Sequence, residues 1–201
     1  MSLMECRPEE SPVLGYLRSF LPWIAFAVLS TNGEARYGAV AAFALSALLL
    51  AMDRRKGRAW DALVLEIGSV VFFAGLALAA LLITPAPFGE YGPAVAVGWL
   101  ALTAWTTLAI RRPFTLGIAR EGVPAAVHST PMFYRVNVVI TAAWAIAFTC
   151  NAAGLALLIA FAPHATVAII AVKICGFAIP AVFTVRYAAL ARARARAAQA
   201  A

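Results

Sequence analysis

Few side chains in this sequence could do chemistry, and the most conspicuous is Lys173, flanked by Val172 and Ile174 in a long apolar run. An ionisable group in such surroundings needs water, a partner or a route to the surface, and so marks a candidate functional site. Two readings compete: a cation lining a hydrated cavity, or a snorkelling anchor between helices. Asn151, beside Thr149 and Cys150, falls at a comparable depth in the preceding apolar segment. An Asn carbonyl can accept from an ammonium, so this pair is expected to line one cavity or to fasten two helices together. Glu66 lies one turn inside another apolar segment, where its charge suits a helix N-terminus. Depth separates it from Lys173, and its expected partners are basic loop residues or Asn137. A third set is basic: Arg54, Arg55, Lys56 and Arg58 in one loop, with Arg111, Arg112 and Arg120 in another. These arginines could hold anionic lipid head groups or a phosphorylated or carboxylated solute.

Several chemistries are not expected. The sequence has no GxSxG elbow, no HExxH, no phosphate-binding glycine loop and no acidic pair with metal-ligand spacing. Cys6, Cys150 and Cys175 show no paired-ligand spacing, so neither a zinc site nor a disulfide framework is indicated. His128 and His164 fall in loops assigned to opposite membrane faces. No catalytic residue, cofactor or metal is therefore assigned. No cleavable leader is expected either, because the first residues carry acids beside Arg7 and no small-residue cleavage pattern follows.

The elements that must position these residues follow from composition. Of 201 residues, 64% are hydrophobic and 12% charged, with a mean hydropathy of +0.88. A soluble domain is about 45–50% apolar and about 25% charged, so most side chains here have no water to face. A span needs roughly 17–25 residues, and the pattern predicts six: residues 13–30, 37–52, 62–84, 94–110, 136–160 and 165–185. The expected fold is one all-α transmembrane bundle covering 1–201, with residues 111–135 as a cytoplasmic segment. That segment is expected to contain a short amphipathic helix resting on the membrane surface. Pro113 should end the fourth helix and Thr115 could cap whatever follows.

Charge decides orientation. The net charge of +7 is spread between apolar segments, as topology requires, and implies no nucleic-acid partner. Fourteen of the sixteen Lys and Arg residues fall in flanks and loops on one side, Arg36 alone on the other, and Lys173 within a span. The positive-inside bias places both termini in the cytoplasm.

The basic loop before the third helix, Val70-Val71-Phe72-Phe73-Ala74-Gly75 within it, and the stretch from Trp105 to Arg112 carry a resemblance. With Arg111-Arg112-Pro113-Phe114-Thr115-Leu116 and Ala119-Arg120-Glu121, they resemble uncharacterised bacterial inner-membrane proteins. More distantly they are similar to the intracellular septation protein A family. The resemblance covers the second helix through the loop after the fourth. It implies a small multi-span protein of envelope synthesis or division, acting through partners without an established catalytic reaction, with Arg111 and Arg112 on its basic motif. The long 111–135 segment and the final two helices depart from that pattern.

Three functions follow as expectations. The first is a structural or scaffold protein of the bacterial inner membrane. It would contact anionic lipids at the cytoplasmic face and a second copy or an envelope protein. The second is a small-solute or ion transporter with a cavity reaching Lys173, the third a lipid-binding protein or embedded enzyme opening beside Arg111, Arg112 and Arg120. A sealed bundle would exclude the second.

Overall fold

The computed structural model describes residues 12–29, 35–83 and 89–200. The N-terminal flank with Arg7, the turn 31–34 and residues 84–88 of the next connection lie outside the described residues. The described chain is helical, with no strand. Its helices are α1 Pro12–Leu29, α2 Ala35–Arg55, α3 Val64–Leu82, α4 Gly92–Ala109, α5 Phe114–Glu121, α6 Pro131–Phe161 and α7 Thr166–Ala200. Five of these, α2, α3, α4, α6 and α7, are long and apolar enough to cross a membrane, while the apolar part of α1, Arg18–Leu29, is shorter.

Local chemistry sets the helix ends. At the end of α2, Gly57 takes a left-handed φ of 78°. Its N–H donates to the Arg54 carbonyl at 3.0 Å, and that of Arg58 to the Asp53 carbonyl at 3.1 Å. This paired closure satisfies carbonyls that the helix itself leaves open. The end of α4 closes the same way, from Arg111 to Leu108 at 2.9 Å and from Arg112 to Thr107 at 2.8 Å. There the left-handed residue is Arg111, with φ 57°, and Pro113 prevents further continuation. At the opposite end of the bundle, Arg36 Nε donates to the Ala80 carbonyl at 3.0 Å, placing a cation on the negative end of α3.

Four expectations are corrected. The fifth span begins at Pro131 rather than 136, because Thr130 caps it by accepting from the Phe133 N–H at 3.3 Å, with proline at the first helical position. The sixth does not stop at 185. Its Ala- and Arg-rich tail, made of strong helix formers, continues α7 to Ala200. The short helix in the 111–135 segment is α5, and its apolar side faces the bundle rather than lipid. Phe114, Thr115, Gly117 and Ile118 are buried in the bundle. Nor does Thr115 cap it. The Thr115 hydroxyl donates to the Asn137 carbonyl at 3.1 Å and shares a 2.8 Å hydrogen bond with Thr141, joining α5 to α6.

Packing divides the bundle into two groups. Helices α1, α2 and α3 pack in chain order, while α6 is the centre of the second group, against α4 and α7. Helix α1 is one bridge between them, and α3 against α4 is another. One part of α1, Trp23, stacks with Phe72 and tilts against Phe73 at 5.2 and 4.7 Å between ring centroids. Phe20 turns the other way, 5.0 Å from Trp144 and 5.4 Å from Phe177. Such pairs contribute about 0.5–1.5 kcal/mol each beyond their burial. Lipid removes the hydrophobic drive between helices, so close packing and hydrogen bonds carry relatively more of the association. Trp23 Nε1 donates to Ser69 Oγ at 2.7 Å and Trp99 Nε1 to the Gly68 carbonyl at 3.1 Å.

Candidate functional site: a charged cluster and a cleft

Polar groups collect in two places. The first is the end of the bundle that carries the basic loops. Asp53, in the last turn of α2, is 1% exposed. The closure at Gly57 turns Arg58 back over it, so Arg58 Nη1 reaches Asp53 Oδ2 at 2.9 Å. Arg18 of α1 reaches the other oxygen of Asp53 at 2.8 Å, as an ion pair outside hydrogen-bond alignment. Arg58 also holds Glu121 of α5 with two nitrogens, at 2.7 and 3.1 Å. Burial acts to lower the Arg58 pKa, but the hydrogen bond and charge of Glu121, then Glu66 and Asp53, outweigh it and raise it. Arg58 is therefore a permanent cation at any physiological pH.

Glu66 sits against this cluster. It is 4% exposed, accepts from Ser19 Oγ at 2.6 Å and lies 3.7 Å from Arg58 Nη1. A basic loop residue is thus its partner, as expected, and the alternative with Asn137 does not form. The Asn137 side chain donates instead to the Phe133 carbonyl at 2.9 Å. Arg120 pairs with Asp61. Arg54 lies over the Trp60 ring at 3.9 Å, a cation–π contact. Arg55, Arg111 and Arg112 are exposed and form no ion pair among the described residues. The expected basic surface is thus divided: these three remain at the surface, and Arg58 is drawn inward.

Helix α5 brings Glu121 and Arg120 to the cluster, and Gly117 lets it approach. A Cβ added at Gly117 would collide with the Asp61 carbonyl and the Ala62 backbone. The close approach of two backbones requires glycine there.

The second place is a cleft of about 2370 Å³ bounded by α1, α4, α6 and α7. Val28 and Pro93 lie toward one end of it, Arg58, Arg120 and Arg192 toward the other. It is partly open to the surroundings, and Ile24 and Ile174 on its rims are exposed. Phe20, Trp144 and Phe177 stand partway along it. Trp144 is held by its Nε1 donating to Thr184 Oγ1 at 2.9 Å, and that hydroxyl donates to the Pro180 carbonyl at 2.7 Å.

Lys173 and Asn151, which depth alone matched in the sequence, both line this cleft. Lys173 is half-buried and forms no ion pair among the described residues. Asn151 is 4% exposed, and neither atom of its amide has a hydrogen-bond partner among the described residues. Gly176, one turn from Lys173, makes room for it, since a Cβ there would overlap the Asn151 amide. On the same interface Gly154 faces Val172.

Asp53, Arg18 and Glu121 were not picked out from the sequence as site residues. One signal was present. An acid four residues before a glycine, at the end of an apolar helix, is placed to receive the arginine that follows the turn. No group of His, Cys, Asp and Glu suited to a metal occurs among the described residues. No family model matches the chain, and no curated protein or solved structure is significantly similar to it.

Proposed function

We propose that this protein is a small transporter of the bacterial inner membrane that takes up a lipid-like amphiphile in its cleft. The apolar part of the molecule faces the bilayer while its polar end moves along the cleft. The observation that carries this reading is the cleft itself, partly open and extending from Val28 and Pro93 past Lys173 to Arg58, Arg120 and Arg192. Its walls include apolar and aromatic side chains with a few polar groups at intervals, the composition of a small-molecule site. Its volume exceeds what an inorganic ion or a small solute needs.

In this reading the chain crosses six times, with both termini and both basic loops in the cytoplasm. Arg18 supports it, because its pairing with Asp53 puts the start of α1 at the level of the 53–61 loop. The buried Phe20, Trp23 and Phe26 make α1 part of the bundle. Exposed Arg55, Arg111 and Arg112 then face anionic lipid at the inner surface.

The test is a reconstituted one. Liposomes carrying the protein and a head-group-labelled single-chain phospholipid are treated with an impermeant quencher. The label should become accessible faster than in protein-free liposomes, beyond the half quenched at once. Equal slow phases would remove the transport reading.

A second reading, a scaffold of the cell envelope, has its own support. Only 11% of the α7 span is buried, against 44% for α3, which leaves an apolar face for a second copy or an envelope protein.

A further inference from the structure

We propose that the cleft selects by charge: it carries amphiphiles of net negative charge, with Lys173 as the station their head groups pass inside the membrane. This rests on the cleft being the path of an amphiphile, and it names the class that the path admits.

Charge along the cleft does not balance. Its basic lining residues are Lys56, Arg58, Arg120, Lys173 and Arg192, and its acidic ones are Asp61 and Glu121. Both acids are taken, Glu121 by Arg58 at 2.7 Å and Asp61 by Arg120. The acids behind the lining are engaged as well, Asp53 with Arg18 and Arg58, and Glu66 with Ser19 and Arg58. Lys56, Lys173 and Arg192 are left without an ion pair among the described residues. Arg192 Nε donates to the Ala188 carbonyl of its own helix at 3.3 Å, which leaves its charge uncompensated. The surplus is positive, and it borders an open volume.

Position turns this surplus into a path. Lys173 and Arg192 are both on α7, about 28 Å apart along the helix, against a hydrocarbon core about 30 Å thick. Lys173 is about 10 Å from the start of α7 at Thr166, and so stands within the membrane. Arg192 and Lys56 are exposed at the basic-loop end. The positive-inside bias accounts for those two, but not for a lysine inside a span. Between the outer end of the cleft and the basic loops, Lys173 is the one cation among the described residues that line it. A head group leaving water along an apolar wall meets a desolvation cost. An ammonium partway along lowers that cost for an anion and raises it for a cation. The fitting cargo is a lipid with a phosphate or carboxylate head and no cation of its own to offset it.

Two chain-labelled lysolipids separate charge from everything else. Acyl-glycerophosphoglycerol is an anion and acyl-glycerophosphocholine a zwitterion, and they share one chain and one phosphodiester. With the full-length protein in liposomes, albumin extracts label from the outer leaflet, and the slow phase of extraction gives the rate of crossing. The protein-dependent rate for the anion should exceed that for the zwitterion about 10- to 100-fold, the range of one hydrogen bond to a charged group. Taking the ratio within each preparation removes differences in the amount of protein inserted. Lys173→Met should bring the ratio toward one, Lys173→Arg should keep most of it, and Lys173→Glu should invert it. Equal rates for the two lipids in wild type would overturn charge selection and leave the cleft reading intact. A ratio that survives both Lys173→Met and Lys173→Glu would overturn the station at Lys173. No acceleration of either lipid would overturn the cleft reading together with this one.

Discussion

The charged cluster and the cleft lie in the same bundle and use the same kinds of residue, yet they are finished differently. Around Asp53 each charge meets an opposite one: Arg18, Arg58 and Glu121 converge from α1, the loop after α2 and α5, and Glu66 joins from α3. Around Lys173 there is an ammonium, an amide without partners and an aromatic neighbour. Burial cannot explain the contrast, because Glu66 and Asn151 are equally buried. What differs is whether the fold delivers a partner. A group the fold pairs holds helices together, whereas an ammonium it leaves without a described counter-charge beside an open volume is available to something else.

That contrast can be broken from the paired side first. Asp53→Ala leaves two arginines without the buried carboxylate between them, and should cost about 3–5 kcal/mol, as when one partner of a buried pair is removed. Unfolding in mixed micelles measures it. A loss below about 1 kcal/mol would place the cluster with exposed pairs that contribute little.

A smaller loss is expected from Gly117→Val, which touches no charge. The new side chain must push α5 off the 60–62 turn, carrying Glu121 away from Arg58. Overpacking of this kind costs about 1–3 kcal/mol, and amide exchange in residues 57–62 should quicken. Unaltered exchange there would mean that α5 does not hold the loop.

From the other side the expected effect is smallest. Asn151→Ala removes an amide that has no partner to lose. Relief of the unpaired groups offsets the lost packing, so stability should move by less than about 1 kcal/mol in either direction. A loss above about 2 kcal/mol would show that Asn151 is structurally paired, and the difference between the two regions would disappear.

Much of the architecture was legible in the residues. Apolar runs bounded by Arg, Pro and Gly marked the helices, and five of the six expected spans are long enough to cross. The ends were less legible, because Thr130 and the Ala/Arg tail act through capping and propensity, which hydropathy does not register. The lipid contact expected of the apolar side of α5 gives way to protein contact for a related reason. Its basic, amphipathic pattern suits a lipid interface, but it suits equally well a helix with its apolar side on α6. Thr115 shows which applies, since its hydroxyl reaches Asn137 and Thr141 rather than capping its own helix.

The candidate site divides in the same manner. Lys173 and Asn151 could be named from sequence because an ionisable or amide group in an apolar run is costly wherever it points. Arg58 could be named only as one of several loop cations, and Asp53 drew no notice among them. Their pairing depends on a left-handed turn at Gly57 and on α1 and α5 arriving from 35 and 63 residues away, between Arg18 and Asp53 and between Arg58 and Glu121.

By itself, then, the sequence determined that the chain is helical, that most of it faces a medium without water, and which polar groups are out of place there. These are consequences of local composition and of the backbone's need to satisfy its own hydrogen bonds in lipid. Only the tertiary structure decided which of those groups are paired and which border an open cleft. Helix rotation and approach place a side chain toward a partner or a void, and both are set by packing between residues far apart in the chain.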